Sequence, residues 1–158
     1  MPQGLENEMI ANAILYAGQP EMQELEVETQ DTLAPGRLVI TGTNQWQCKV
    51  GVTDTVECIG IADIASDRKL TAMQTETIAG TPLDYYDAGE QIRVLRGDIV
   101  VKVLLDSGQT ITVGDRLKVV NDVGMAGLTV LATDTVGYAL ENITSGNYCK
   151  WILMKMTI

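Results

Sequence analysis

The chain has 158 residues and a net charge of −10, and 46% of its residues are apolar although Phe is absent. This length predicts a single domain, and this acidity excludes a nucleic-acid partner because phosphate backbones repel an acidic chain. No apolar run reaches the ~20 residues that cross a bilayer, so we expect no membrane partner. Histidine is also absent, which excludes a His-based triad and an imidazole metal site.

Residues 1–33 differ in composition from the rest of the chain and predict an extended N-terminal arm. The stretch 21–28 is strongly acidic, and Gly18 and Pro20 interrupt any regular element before it. Such a segment is either a frayed terminus or an arm that becomes ordered on a neighbouring subunit. If it is an arm, we expect its apolar residues to clamp a neighbour or a capsid protein: Leu5, Met9, Ile10, Ile14, Leu15 and Tyr16.

The signals from residue 34 to residue 158 predict strands and turns. Two apolar runs, 91–96 and 99–105, flank the tight turn at Arg96-Gly97-Asp98 and predict a β-hairpin. Turn signals every 8–12 residues with little helix predict an all-β domain, a compact sandwich or a partly closed barrel. The other strands are expected at 37–41, 47–52, 57–64, 111–113, 114–120, 128–132, 136–142 and 148–157.

An internal repeat divides this β domain into two related strand-turn-strand halves, at about 34–65 and 112–144. The sequence TDTV occurs at 53–56 and again 80 positions later at 133–136. Each copy follows an Arg-Leu pair, and the two pairs lie 79 positions apart. Two copies are too few for a solenoid. The matching Asp54 and Asp134 are expected to be turn-forming side chains that bond nearby backbone amides.

No motif of the chain predicts catalysis, a cofactor or a metal. The three cysteines, Cys48, Cys58 and Cys149, form no CxxC pair and are expected to be buried and reduced, as in a reducing cytosol. Met154-Lys155-Met156 is similar to a biotin attachment site, but an alternating terminal strand explains it better. Arg96-Gly97-Asp98 is explained by the turn. We therefore predict that the chain is not an enzyme.

Several short glycine-led motifs resemble those of one protein family. They are SGQTITVGDRL at 107–117, VGYALE at 136–141, AGEQIRVL at 88–95 and, more weakly, PGRL at 35–38 with IGIAD at 59–63. Together they cover about residues 34–143 and resemble the capsid decoration (cement) proteins of tailed bacteriophages, although the N-terminal arm is longer than in compact family members.

This resemblance implies a structural protein on the outer capsid surface of a virion, assembled in the host cytoplasm. Its partner would be the major capsid protein. The decoration protein, often a homotrimer, would bind adjacent capsid subunits and hold them together. A ligand- or carbohydrate-binding β module on a virion is the alternative, with Trp46, Tyr85 and Tyr86 as candidate stacking faces for sugars. Tyr85 and Tyr86 would point to opposite sides of an extended strand, so at most one would serve a flat platform.

Overall fold

The computed structural model describes residues 13–28, 33–53, 57–65, 86–147 and 149–158, and these residues confirm the all-β prediction. No helix occurs in this part of the chain. The described residues form thirteen strands: β1 (Leu15–Ala17), β2 (Glu21–Val27), β3 (Leu38–Thr41), β4 (Gln47–Val50), β5 (Gly60–Ala62), β6 (Gln91–Arg96), β7 (Val100–Leu105), β8 (Thr110–Ile111), β9 (Arg116–Val119), β10 (Ala126–Thr129), β11 (Gly137–Ala139), β12 (Ile143–Thr144) and β13 (Lys150–Met156).

The strands close into two five-stranded barrels of the same topology. Barrel 1 has the order β2-β4-β3-β5-β6, and barrel 2 has the order β7-β10-β9-β11-β13, closed by the pairing of β13 with β7. In each barrel the first strand pairs antiparallel with the last and parallel with the second strand of the central hairpin. The prediction of two related halves is thus confirmed, although each barrel extends beyond the predicted bounds of about 34–65 and 112–144.

The strand register shows which residues of the two halves are equivalent. Val39 pairs with Gly60 in barrel 1, and Leu117 pairs with Gly137 in barrel 2. The repeated Arg-Leu pairs are therefore one residue out of structural register. Side chains alternate between the two faces of a strand, so the one-residue shift puts Leu38 outside barrel 1 and Leu117 inside barrel 2.

A row of three aliphatic residues on the outside of barrel 1 joins the two barrels. Leu38 pairs with Ile61, and Ile61 pairs with Leu95, so the three side chains lie side by side across β3, β5 and β6. All three are buried in the core of barrel 2 rather than in the core of barrel 1. Burying one such side chain contributes roughly 1.5–3 kcal/mol, so this row holds the barrels together.

Backbone contacts seal the same interface. The Leu38 N–H donates to the Gly124 carbonyl at 2.8 Å, and Arg37 Nη1 donates to the Val123 carbonyl at 2.8 Å. Gly36 lies against the Trp151 ring so closely that a Cβ there would be 2.3 Å from Cζ3. The two barrels are therefore packed directly against each other.

The segment 13–28 crosses from one barrel to the other. In β1, Leu15 pairs with Val101 and Ala17 pairs with Val100, which adds a sixth strand to the sheet of barrel 2. The next strand, β2, pairs along its length with β6 of barrel 1. The acidic composition of 21–28 predicts an arm. Instead, apolar and acidic residues alternate along β2, so Leu25 and Val27 point into barrel 1 while the glutamates face water.

The hairpin predicted at Arg96-Gly97-Asp98 is wrong, because β6 and β7 belong to different barrels. One side of β6 pairs with β2 and the other with β5, whereas β7 pairs with β13, β1 and β10. Barrel closure thus uses the strand edges that a hairpin would need. The turn is instead the link between barrels, and its Gly97 N–H donates to the Ile158 carbonyl at 2.8 Å.

Two glycines allow the interface to be tested with a matched control. Gly124 and Gly108 have φ values of 73° and 75°, so alanine at either position costs roughly 1–2 kcal/mol of backbone strain. A Cβ at Gly108 meets nothing within 4 Å, whereas a Cβ at Gly124 would lie 2.6 Å from Val50 Cγ2 and 2.7 Å from the Leu38 oxygen.

We expect Gly124→Ala to lose about 1–3 kcal/mol more stability than Gly108→Ala, because only the first forces the two barrels apart. Equilibrium urea unfolding of the two variants measures the difference. Equal losses would show that the barrels do not depend on this close approach.

Candidate functional site

Most of the large apolar side chains that face solvent lie at one end of barrel 2. Ten are exposed in the described part of the chain, and six of these fall within residues 113–140. Clustered exposed apolar residues mark interaction sites in soluble proteins, whereas scattered ones need no explanation. We call this group the barrel-2 rim, and its members are Val113, Leu128, Val130, Leu131, Tyr138 and Leu140.

The strand register places Leu131, Tyr138 and Leu140 at the same end of barrel 2. Arg116 pairs with Thr129 on one side and with Tyr138 on the other, so these three residues form one row across β10, β9 and β11. Leu131 and Leu140 each lie two residues beyond this row in the same direction along parallel-running strands. Val113 joins them, because its N–H donates to Asn142 Oδ1 and the next N–H donates to the Ala139 carbonyl.

A buried polar network fixes the most exposed part of the rim. Asp134, a buried acid, accepts a hydrogen bond from Thr129 Oγ1 at 2.9 Å and forms an ion pair with Lys118 at 3.5 Å. Thr129 Oγ1 also accepts from the Leu131 N–H, and Thr135 Oγ1 donates to the Leu131 carbonyl. Asp134 thus binds side chains rather than the backbone amides predicted for it, and Asp54 lies outside the described residues.

The net charge is unevenly distributed along the sequence. Residues 1–98, which include barrel 1, contain 16 acidic and 6 basic residues and carry the whole net charge of −10. Residues 99–158, which form barrel 2 except for β1, contain 5 acidic and 5 basic residues and are neutral. The apolar rim therefore lies on the neutral barrel.

Trp46 is a second exposed feature, at the tip of the β3–β4 hairpin on barrel 1. Its ring is 62% exposed, and its φ of 63° lies in the left-handed region. The turn is closed by the Gln47 N–H and the Asn44 carbonyl, and Trp46 occupies the position where such turns favour glycine. Strain of this kind is typical of sites where a side chain serves a contact rather than the fold.

The predicted clamp residues have three different outcomes. Ile14 is fully buried in the core of this chain, and the carbonyl of Ile14 accepts from the Lys102 N–H. Leu15 is half-buried in β1, and Tyr16 is 47% exposed beside it. Leu5, Met9 and Ile10 lie outside the described residues. Contact between these residues and a capsid protein stays a prediction. Ile14 is buried, so it can only anchor the arm to this chain and cannot contact a partner itself.

The predicted sugar platform is wrong for Tyr86. Its ring is fully buried in barrel 1, and its hydroxyl donates to the Asp63 carbonyl and accepts from the Ala65 N–H. Tyr85 lies outside the described residues. Trp46 is the member of the three whose ring the structure places in solvent.

The fold explains the Met-Lys-Met and Arg-Gly-Asp motifs without a functional role. Lys155 lies within β13, pairs across to Tyr138 and forms an ion pair with Asp98, so it is not at a hairpin tip. Arg96 forms an ion pair with Glu21, which leaves both charges of the Arg-Gly-Asp sequence engaged within the chain. A shallow cleft at the junction of the barrels is lined by these same two pairs.

The cysteines are free thiols; Cys48 and Cys149 are buried as predicted, whereas Cys58 is half-buried. Burial disfavours the charged form of each thiol. Burial raises the pKa of Cys58 to about 11 and that of Cys48 to about 12, and it also raises the pKa of Cys149. The described residues contain no cluster of three or more His, Cys, Asp or Glu side chains arranged to hold a metal. Within the same residues, no helix has the length and hydropathy to span a membrane.

Two closed five-stranded barrels that share an interface define a fold that also occurs in a protein of phage particles. That protein is the N base of head fiber gp8.5 in bacteriophage phi29, which matches with a TM-score of 0.50 and 16% sequence identity. The match covers 88% of this chain and 95% of that chain. No family and no curated protein matches the sequence.

The rim was not predicted from the sequence, although one signal for it is present. Leu128 and Val130 precede TDTV, and Tyr138 and Leu140 follow it, each pair with the period of two that marks one face of a strand. Such a pattern normally predicts a core face. Leu128 pairs with Leu117, whose side chain lies inside barrel 2, whereas Tyr138 pairs with Arg116 on the outer face, so the two pairs belong to different faces of the sheet.

We expect Trp46→Gly to raise stability by roughly 1 kcal/mol, because glycine removes the left-handed strain and the exposed ring loses little packing. Gln45→Gly in the same turn is the matched control, since the φ of Gln45 is not positive, and it should lower stability slightly. Equilibrium urea unfolding measures both, and a large loss for Trp46→Gly would show that the ring supports the fold.

We also expect the three cysteines to resist modification in the native state. At pH 8 a thiol with a pKa of about 11 is ionised in roughly one molecule per thousand, and only the thiolate attacks a disulfide reagent. Ellman's reagent should therefore react slowly with the folded chain and rapidly with all three thiols in denaturant. A fast reaction of one native thiol would contradict the burial described here.

Proposed function

We propose that this chain is a structural protein of the outer head surface of a tailed bacteriophage, where it acts as a decoration or cement protein. The observation that carries this proposal is the two-barrel fold, which resembles the base of a phage head fiber over most of both chains. The glycine-led motifs at 107–117 and 136–141 support it independently, because they resemble those of capsid decoration proteins.

The properties of the molecule suit such a role. Two closed barrels with a shared interface make a stiff body, and closure leaves few strand edges open to aggregation. The partner is the major capsid protein, and neither nucleic acid nor a membrane takes part. Reinforcement of neighbouring subunits requires no catalytic centre, cofactor or metal. A homotrimer would multiply one weak contact into three and so raise avidity.

The N-terminal arm supplies a contact in this proposal. Ile14, buried in barrel 2, anchors the arm, and Tyr16 is exposed beside it on β1. Leu5, Met9 and Ile10 precede this anchor by a few residues and would reach a neighbouring subunit. A deletion test must therefore stop before Ile14, because removing β1 would also open the core of barrel 2.

Particles produced by the genome that encodes this chain test the proposal. We expect mass spectrometry to find the chain in purified particles and cryo-electron microscopy to find its density outside the head shell. Particles from which the gene is deleted should lose that density and release DNA at a lower temperature. Density inside the shell, or absence of the chain from the particles, would contradict an outer-surface role.

Deletion of residues 1–12 tests the arm in the same particles. We expect this variant to unfold with wild-type cooperativity while its occupancy on heads falls at least roughly tenfold, the effect of losing a few apolar anchors. Replacement of the same residues by a glycine-serine segment of equal length is the control for chain length. Full occupancy of both variants on heads would show that the arm makes no contact with the capsid, and it would leave the outer-surface role intact.

Carbohydrate binding remains the second candidate, favoured by the exposed Trp46 ring. Sugars stack on such rings, and the neighbouring Gln47 and Glu28 side chains carry amide and carboxylate groups that could bond hydroxyls. A glycan array probed with the wild type and with Trp46→Gly decides this. Binding that Trp46→Gly loses would support it, and no binding by the wild type would reject it.

A further inference from the structure

We propose that the Trp46 ring, at the tip of the β3–β4 hairpin, binds an arginine or lysine side chain of a partner protein. The tip is the turn at 43–46, and the ring is 62% exposed there. The site rests on the proposed function only for the identity of the partner, a protein of the head shell. The class of side chain that it binds follows from the geometry and charge of the tip.

Residues 121–124 form the equivalent tip of barrel 2. The same main-chain hydrogen bond closes both turns, because the Gly42 N–H donates to the Gln47 carbonyl and the Val120 N–H donates to the Met125 carbonyl. The strands on either side of the two turns continue in the same register. The two tips can therefore be compared residue by residue.

Gly124 occupies in barrel 2 the position that Trp46 occupies in barrel 1. Their φ values are 73° and 63°, so the backbone is left-handed at both corners. In barrel 2 this corner is a docking point, because the Gly124 carbonyl accepts from the Leu38 N–H and a Cβ at Gly124 would lie 2.6 Å from Val50 Cγ2. The hairpin that docks barrel 2 on barrel 1 thus has its counterpart in the exposed tip of barrel 1.

A guanidinium group already binds the docked tip. Arg37 Nη1 donates to the carbonyl of Val123, the residue before Gly124, at 2.8 Å. Arg37 is 1% exposed, so this contact is made away from water. Within this chain, a tip of this geometry therefore receives an arginine from the surface on which it docks.

The tip of barrel 1 has to make its contact through a side chain. The main-chain carbonyl of Trp46 is engaged within its own barrel, because it accepts from the Glu26 N–H at 2.8 Å. The group that projects is the indole ring. Its π face attracts ammonium and guanidinium groups, and among aromatic side chains tryptophan does so most strongly.

Carboxylates around the tip favour a cation. Glu28 Oε2 accepts from the Thr43 N–H at 3.0 Å, and Glu26 Oε1 accepts from Gln47 Nε2 at 3.1 Å. Hydrogen bonding by the Thr43 side chain holds the pKa of Glu28 below its usual value, so Glu28 is charged at neutral pH. Lys49 also interacts with Glu28, and one ammonium against two carboxylates leaves the tip negative.

An uncharged sugar gains less from this site than a cation does. Either group can stack on the ring, but only a cation is also attracted by the carboxylates. Residues 1–98 carry the whole net charge of −10, so the field around barrel 1 concentrates cationic groups as well. A basic patch on a protein is therefore the occupant that fits the tip.

Tryptophan fluorescence of the full-length chain tests the site, because Trp46 is exposed while Trp151, the second tryptophan, is buried. The probe is a short peptide with blocked ends and two arginines among glycines and serines. We expect it to change the Trp46 emission saturably. The same peptide with citrulline, which has the shape of arginine without its charge, should cause no change. Trp46→Gly gives the signal of Trp151 alone.

Glu28→Gln tests the carboxylates in the same titration. We expect this variant to bind the arginine peptide roughly two- to fivefold more weakly, the effect of losing one exposed charge pair. Glu24→Gln is the matched control, because Glu24 is an exposed glutamate of the same strand that pairs with Arg93, away from the tip, and it should bind as the wild type does.

Binding of the purified chain to gene-deleted heads measures the contact with the partner. We expect Trp46→Leu to weaken binding roughly 3- to 30-fold, the range of a cation–π contact, and Trp46→Phe to weaken it less because phenylalanine keeps an aromatic face. Leucine keeps the apolar bulk, so this difference separates cation binding from apolar burial. Met22→Ser should bind as the wild type does, because Met22 is 58% exposed but lies on β2 away from the tip.

An arginine peptide that leaves the Trp46 emission unchanged, or a citrulline peptide that changes it equally, would overturn the inference. So would a Trp46→Leu variant that binds heads as the wild type does. A neutral glycan that binds the wild type but not Trp46→Gly, without a response to the arginine peptide, would assign the ring to sugars instead. Heads that bind no wild-type chain would reject the proposed function, whereas the peptide titration still decides what Trp46 binds.

Discussion

The packing of Leu38, Ile61 and Leu95 against barrel 2 is the contact on which the rest of the structure depends. These three side chains form a continuous apolar row on the outside of barrel 1, and the core of barrel 2 covers them. Their burial fixes the orientation of the barrels. It also explains why Gly36 and Gly124 approach the opposite barrel too closely for a side chain. Without this row the chain would be two small barrels on a short link.

The equivalent row of residues in barrel 2 is polar and partly exposed rather than aliphatic and buried. By register, Leu38, Ile61 and Leu95 correspond to Arg116, Tyr138 and Lys155. The barrel-1 row is aliphatic and covered, whereas the barrel-2 row carries two cations and is partly exposed. A third barrel could not dock there as barrel 2 docks on barrel 1, because two charges would lose their solvent. Duplication has therefore given two units with one topology and different outer surfaces.

Much of the fold could be predicted from local patterns, because strands and turns leave local signals. The period-two alternation of 91–96, 116–119 and 150–156 and the glycine-bearing turns predict strands that the structure contains. Closure into two barrels could not be predicted, because it depends on which edges pair across long separations. The false hairpin after β6 shows this, since its local signal is strong and only the prior pairing of β6 with β2 and β5 prevents it.

The candidate surfaces were harder to predict for a different physical reason. An apolar residue in an alternating strand predicts a core position, and only the closed barrel shows that Tyr138 and Leu140 are outside. In β2 the converse holds: Glu24, Glu26 and Glu28 alternate with the buried Leu25 and Val27, so the acidic composition hides a buried face. Exposure is a property of the assembled fold, so sequence patterns alone assign it poorly where both faces of a strand carry apolar residues.

The crossing of segment 13–28 between the barrels has a consequence for synthesis on the ribosome. All five strands of barrel 1 have been made once residue 96 has emerged, and they can close at once. The earlier strand β1 must wait for β7, and the barrel it joins is completed only by β13. Of the described strands, the one synthesised first is thus among the last to pair. Until β7 is made, the apolar residues of β1 are exposed and could cause aggregation. The acidic residues in the first half of the sequence help to keep this nascent chain soluble.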